Sequence, residues 1–196
     1  MRFLALGDSY TIGEGVEPSD RWPVRLAALL RARGVDVADP EIIARTGWTT
    51  GELAAGIDAA NPQGPYALVT LLIGVNNQYR GLSIDAYRQE FRELLRRAIG
   101  FADGHANRVV VVSIPDWGVT AFAEGRDRPQ VAREIDAFNA ANRDVAHELG
   151  ARWVDVTPTS RRMARDVVDD GLHPSGAQYG AWADLVLPEA LAALGR

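Results

Sequence analysis

The chain has 196 residues, 47% hydrophobic and 24% charged, the composition of one globular domain of ordinary size. Its net charge is −5 and all 21 cationic side chains are Arg, which excludes a general nucleic-acid binder with its basic face or tail. There is no Cys, so disulfides, thiolate metal sites and a cysteine nucleophile are excluded as well. No run approaches the ~18 apolar residues of a membrane-spanning helix, and the N-terminus lacks the pattern of a secretory signal. A cytoplasmic location with no membrane span is the expectation.

Short apolar runs alternate with longer amphipathic ones. In chain order the strand candidates are Arg2–Leu6, Glu41–Ala44, Tyr66–Gly74, Arg108–Ile114 and Arg152–Val156. The third and fourth are nearly continuous apolar runs, which suits strands covered on both faces of a parallel sheet. Ile84, Tyr87, Phe91, Leu94 and Ala98 share one helical face, as do Val131, Ile135, Phe138, Val145 and Leu149. Thr49 with Glu52 and Ser175 with Gln178 have capping-box spacing and mark two helix starts. Pro188 is expected to kink or end the last helix. No repeat, low-complexity tract or linker interrupts the alternation, so residues 1–196 read as one doubly wound α/β domain.

Ligands of such sheets bind beyond the carboxyl ends of the strands. The loops to inspect are therefore "GDSYTIGEG", "RTGWTTGE", "GVNNQYRG", "PDWGVTAF" and, after the last strand, the stretch ending "DDGLHPSG". The first is not a P-loop, because that loop needs a Lys and the chain has none. It does not meet G-x-G-x-x-G either, and Thr11 stands where the elbow G-x-S-x-G needs its second Gly. A phosphate site built from loop amides alone stays open. Ser9, at a strand end, stands where a nucleophile belongs, and a hydroxyl needs a base within hydrogen-bond reach. His147 lies off the apolar stripe of its helix, and His105 precedes the fourth strand, at the wrong edge of the sheet. His173 follows the last strand, and Asp170, three residues earlier, can reach its Nδ1 across a tight turn and fix the tautomer. Asp169 reads as a solvated loop charge. Attack on an ester also creates an oxyanion that needs preorganised donors. The backbone N–H of Ser9, the N–H of Gly47 and the side chain of Asn76 are the candidates, each beside the carboxyl end of a strand.

These blocks, "GDS" at Gly7–Ser9, Gly47, "GVNN" at Gly74–Asn77 and "DGLH" at Asp170–His173, resemble those of the SGNH, or GDSL, hydrolase superfamily in order and spacing over essentially the whole chain. The resemblance implies a flavodoxin-like three-layer α/β/α fold with a five-stranded parallel sheet. It also implies Ser9 as nucleophile, His173 as base, Asp170 as its partner, and Ser9, Gly47 and Asn76 as oxyanion-hole donors. One position departs from the pattern: the third block usually reads G-x-N-D, and Asn77 stands here in place of the Asp.

The expected activity is hydrolysis of a small-molecule carboxylic ester through an acyl-enzyme, with no cofactor and no metal. Two other classes compete with it. One is a binding domain that keeps the fold without turnover. The other is a metal-dependent hydrolase with Asp8, Asp170 and His173 as ligands, although Asp8 reads more naturally as a brace for the Ser9 loop. Tyr10, Trp48, Tyr79 and Trp117 lie in or beside the site loops and are candidates to line an acyl or alcohol pocket. Packing that merely supports the loops is the competing reading of each. The superfamily's range, from simple esters to thioesters, lysophospholipids and acetylated sugars, does not choose the substrate.

Overall fold

The structure, a computed structural model, describes residues 1–196. β1 (Phe3–Asp8) runs directly into a single helical turn, α1 (Ser9–Ile12), followed by α2 (Trp22–Ala32). β2 (Glu41–Arg45) leads to α3 (Thr50–Ala60), and β3 (Leu68–Leu72) leads to the one-turn α4 (Val75–Tyr79) and the long α5 (Ile84–Phe101). β4 (Val109–Val112) precedes two short 3-10 turns and α6 (Arg128–Leu149); β5 (Arg152–Val154) precedes α7 (Thr157–Arg162) and α8 (Gly176–Ala193).

All five strands are parallel, in the order β2-β1-β3-β4-β5. Winding therefore reverses between β1 and β3, and the crevice at that switch point is where such a sheet binds its ligand. Every residue of β1, β3 and β4 is buried, whereas β2 and β5 form the partly exposed edges. That burial explains the near-continuous apolar runs in the sequence. Tyr87, Phe91, Leu94 and Ala98 of α5 and Val131, Ile135, Phe138 and Val145 of α6 are buried, as their spacing predicts, while Ile84 and Leu149 are half-buried. Trp22 of α2 and Tyr179 and Trp182 of α8 are fully buried as those two helices pack together. Removing each large apolar side chain from water contributes about 1.5–3 kcal/mol.

Three local expectations need correction. The third strand is shorter than its apolar run, because Tyr66 and Ala67 bond to Phe101 and Arg2 outside the ladder and α4 begins at Val75; the fourth stops at Val112, and both backbone groups of Ile114 bond to the Asn139 side chain. Pro188 does not end α8, which continues to Ala193. The carbonyl that loses its helical donor there belongs to Asp184, an exposed residue, where water can take the donor's place. At Ser175 only half of the capping box forms. Ser175 Oγ accepts the Gln178 N–H, but the Gln178 side chain donates to the carbonyls of Met163 and Asp166, at 3.2 and 2.9 Å, and ties that segment to α8. The box at Thr49 and Glu52 forms completely.

Candidate active site

The Ser9 turn is built by the residues just before it. A Cβ on Gly7 would lie 2.2 Å from Thr11 Oγ1 and 2.5 Å from the Leu72 carbonyl, so the close approach of turn, β1 and β3 admits only glycine. Asp8 caps α1, its Oδ1 accepting the Tyr10 N–H at 3.0 Å. Ser9 then occupies the first helical position, where a backbone N–H has no intrahelical partner. Asp8 is completely buried, and its Oδ2 has no partner. Burial pushes its carboxyl up to about 7, against the opposing hydrogen bonds from Tyr10 and its own backbone.

The Asp170–His173 turn meets Ser9 from the other end of the chain. Asp170 Oδ1 accepts the N–H groups of Leu172 and His173, at 2.8 and 2.9 Å, which folds the segment back on itself. Its Oδ2 then lies 2.6 Å from His173 Nδ1, and His173 Nε2 lies 2.9 Å from Ser9 Oγ. Partial burial raises the Asp170 carboxyl, but the hydrogen bonds from the His173 ring and from the two backbone N–H groups prevail and hold it below the ordinary carboxylate range. Phe122 donates its N–H to the Gly171 carbonyl at 3.0 Å and fastens this turn to the loop after β4. Ser9 and His173 are only 4% and 6% exposed. His147 and His105 are exposed, remote from this arrangement.

Gly47 and Asn76 face Ser9 across the switch point, and both line the cavity onto which Ser9 and His173 open. Gly47 has φ +83°, and its N–H takes part in no hydrogen bond. Asn76 Nδ2 donates one hydrogen to the Trp48 carbonyl at 2.9 Å, leaving the other N–H uncommitted. Asn77 is buried and points elsewhere: its Oδ1 accepts the Thr50 N–H at 3.0 Å and its Nδ2 donates to Thr50 Oγ1 at 2.7 Å. Thr50 in turn donates its hydroxyl hydrogen to Glu90. Asn77 thus joins α4 to the start of α3.

The cavity measures about 140 Å³, with Val75, Tyr79, Trp117, Phe122 and Leu172 as its apolar lining. Trp117 is buried; Tyr79 and Phe122 are each 44% exposed and stand at the mouth, with ring centroids 5.2 and 6.0 Å from that of Trp117. Tyr10 also reaches the cavity, its ring centroid 5.2 Å from that of His173. Trp48 does not line the cavity. Its indole lies so close over Gly56 of α3 that a Cβ there would be 2.2 Å from the ring, and only its carbonyl serves the site. Thr46, Val75, Phe122 and Leu172 were not singled out from the sequence, although Thr46 and Val75 stand just beyond β2 and β3 and Phe122 and Leu172 lie in the segments between β4 and α6 and between α7 and α8.

A family model for GDSL-like lipases and acylhydrolases matches residues 5–181. The chain belongs to the GDSL-like lipase/acylhydrolase family. Among solved structures it is similar to TesA, with 22% identity, a TM-score of 0.78 and coverage of 99% of this chain and 100% of that one. It is similar to the psychrotrophic esterase EstA from Pseudoalteromonas sp., with 16% identity, a TM-score of 0.77 and coverage of 100% and 99%. It also resembles Axe2, an acetylxylan esterase from Geobacillus stearothermophilus, with 18% identity, a TM-score of 0.68 and coverage of 100% and 94%. At such identities the likeness establishes the fold. No curated protein matches the chain. Family membership assigns the class, that of lipases and acylhydrolases. No helix is long and apolar enough to cross a membrane. No three His, Asp or Glu side chains converge as metal ligands would, so Asp8, Asp170 and His173 do not form the metal site considered from the sequence.

Proposed function

We propose that this family member is a serine esterase that hydrolyses small carboxylic esters through an acyl-enzyme. The observation that carries the reading is the hydrogen-bonded chain from Asp170 through His173 to Ser9, ending at a small apolar cavity. With Nδ1–H donated to Asp170, Nε2 of His173 accepts the Ser9 hydroxyl hydrogen. Ser9 Oγ adds to the ester carbonyl carbon as its proton passes to Nε2. The negative charge that forms on the carbonyl oxygen takes hydrogen bonds from the N–H groups of Ser9 and Gly47 and from the free N–H of Asn76. Collapse breaks the bond to the alkoxy oxygen, which leaves with the proton from Nε2, and the acyl group remains on Ser9. Water then gives a proton to Nε2 as it adds to the acyl carbon, and collapse returns that proton to Ser9 Oγ and frees the acid. No cofactor enters these steps.

The size of the cavity supports a short acyl group. An apolar space of about 150 Å³ holds one benzene molecule, so about 140 Å³ suits an acyl chain of roughly four to six carbons. The test is hydrolysis of p-nitrophenyl esters from acetate to decanoate by the parent and by Ser9→Ala. The expected result is turnover by the parent alone, greatest at butyrate to hexanoate. Equal turnover by both proteins, or none by either, overturns the reading.

A further inference from the structure

Gly47 poses a problem that its own chemistry does not solve. A donor to an oxyanion is effective only if its direction is set before the charge appears. The turn around Gly47 is closed by one backbone bond, from the Trp48 N–H to the Arg45 carbonyl at 3.2 Å, and a glycine at φ +83° with nothing but Arg80 Nη2 within 4 Å of a Cβ position adds no side-chain contact of its own to that hold. The neighbours must supply the rest. On one side the Thr46 hydroxyl is bonded to Glu14. On the other, the Gly47 carbonyl accepts from Arg80 Nη2 at 2.6 Å. The same guanidinium is held by Glu52, with Nη1 3.3 Å from Oε1 and Nη2 3.2 Å from Oε2. Glu52 is itself fixed, because its Oε2 accepts the Thr49 N–H at 2.8 Å in the capping box of α3. Arg80 follows α4 directly, and α4 carries Asn76. One side chain therefore ties the carbonyl of one oxyanion donor to the short helix that carries the other.

We infer that Arg80 is a positioning residue, which sets the direction of the Gly47 N–H by fixing the adjoining Gly47–Trp48 peptide against α4 and Glu52. The inference rests on the serine esterase reading, in which Gly47 is an oxyanion donor. Arg80 does not line the cavity, so it acts through Gly47 and not on substrate. The planar fork is needed because it reaches two acceptors at once; an ammonium offers a single point of charge.

The test compares Arg80→Ala, Arg80→Lys and Glu52→Gln with the parent on p-nitrophenyl butyrate, with Ser9→Ala alongside. Misplacing an oxyanion donor without removing it costs less than the ~10²–10³ in kcat of a full deletion. Arg80→Ala is therefore expected to lower kcat about 10- to 100-fold and leave KM within about twofold, since ground-state binding does not use the oxyanion contact. Arg80→Lys should recover part of the loss, and added guanidinium ion should restore part of the activity of Arg80→Ala, because the site is half open to solvent. Glu52→Gln keeps an acceptor for the Thr49 N–H but removes the charge that holds Arg80, so kcat falls in the same direction by less. An Arg80→Ala enzyme with parental kcat, or with a lower melting temperature and no change in kcat of the folded protein, overturns the positioning role. Loss of kcat without rescue by either guanidinium or Lys overturns it too. If Ser9→Ala instead matches the parent, the esterase reading is what has failed.

Discussion

Replacing Asp8 by Asn tests the electrostatics beneath the site. Asp8 is completely buried, accepts one hydrogen bond through Oδ1 and leaves Oδ2 without a partner. Its carboxyl rises from 3.8 to about 7 on folding, chiefly because burial penalises the charge. Between those values the native protein binds more protons than the unfolded chain, so stability falls as pH rises from about 4 to about 7 and is level above that. At about 1.4 kcal/mol per pKa unit the full effect is about 4 kcal/mol, of which about 3 kcal/mol lies between pH 5 and pH 8. Asn keeps the cap, because its Oδ1 still accepts the Tyr10 N–H, and it carries no charge at any pH. Asp170, Tyr10, Tyr87 and Tyr179, the titratable groups coupled to this region, remain in both proteins, and so does His173. The three tyrosines are raised from their ordinary value and Asp170 is lowered from its own, so none of these four titrates between pH 5 and pH 8. Urea unfolding of parent and Asp8→Asn at intervals from pH 5 to pH 8 should therefore show the variant gaining about 3 kcal/mol on the parent across the range. Parallel profiles would mean that Asp8 titrates alike folded and unfolded, and a gap that closes with rising pH would reverse the sign; either result refutes the argument.

Asn76→Ala removes a side-chain donor and should lower kcat by about 10²–10³ at nearly unchanged KM, read from steady-state hydrolysis of a short ester. Asp170→Asn can preserve the turn, since Oδ1 still accepts the Leu172 and His173 N–H groups, but its NH₂ then faces Nδ1. The ring is forced into the tautomer with Nε2–H toward Ser9, and kcat should drop by about 10⁴, again read at saturating ester. Asn77→Asp installs the residue usual in the family at a site built here for an amide. A carboxylate cannot donate to Thr50 Oγ1, so the hydroxyl must turn from Glu90 to the new group, with a loss of about 1 kcal/mol in urea unfolding.

What was legible in the sequence follows from how local each signal is. The Asp170–His173 turn and the Thr49 cap depend on residues a few positions apart, and the structure reproduces their spacing directly, whereas the strands were legible as elements but not in their exact ends. Gly47 and Asn76 were visible because a parallel sheet brings its strand ends to one edge, whichever side chains the loops carry. The cavity wall is a different matter. Trp48 looked like a lining residue by position, yet its ring is captured by a bare Gly56 one helix onward, a contact that no loop-edge rule expresses. Phe122 reaches the site because its N–H bonds to Gly171, far along the chain, and Arg80 matters only through two acceptors that lie more than 25 positions before it. Asn139 is similar: on sequence it is a polar residue among the apolar positions of α6, and in the fold it bonds both backbone groups of Ile114 at the end of β4. Asn77 shows the boundary most clearly. Its departure from the family pattern can be read in one line of sequence, but the reason an amide suits this chain, a Thr50 hydroxyl already committed to Glu90, exists only once α3, α4 and α5 are packed together. The chemistry of the site is thus written in short stretches of sequence, whereas the shape of its pocket and the aim of its donors are written in pairs of residues that the chain keeps far apart.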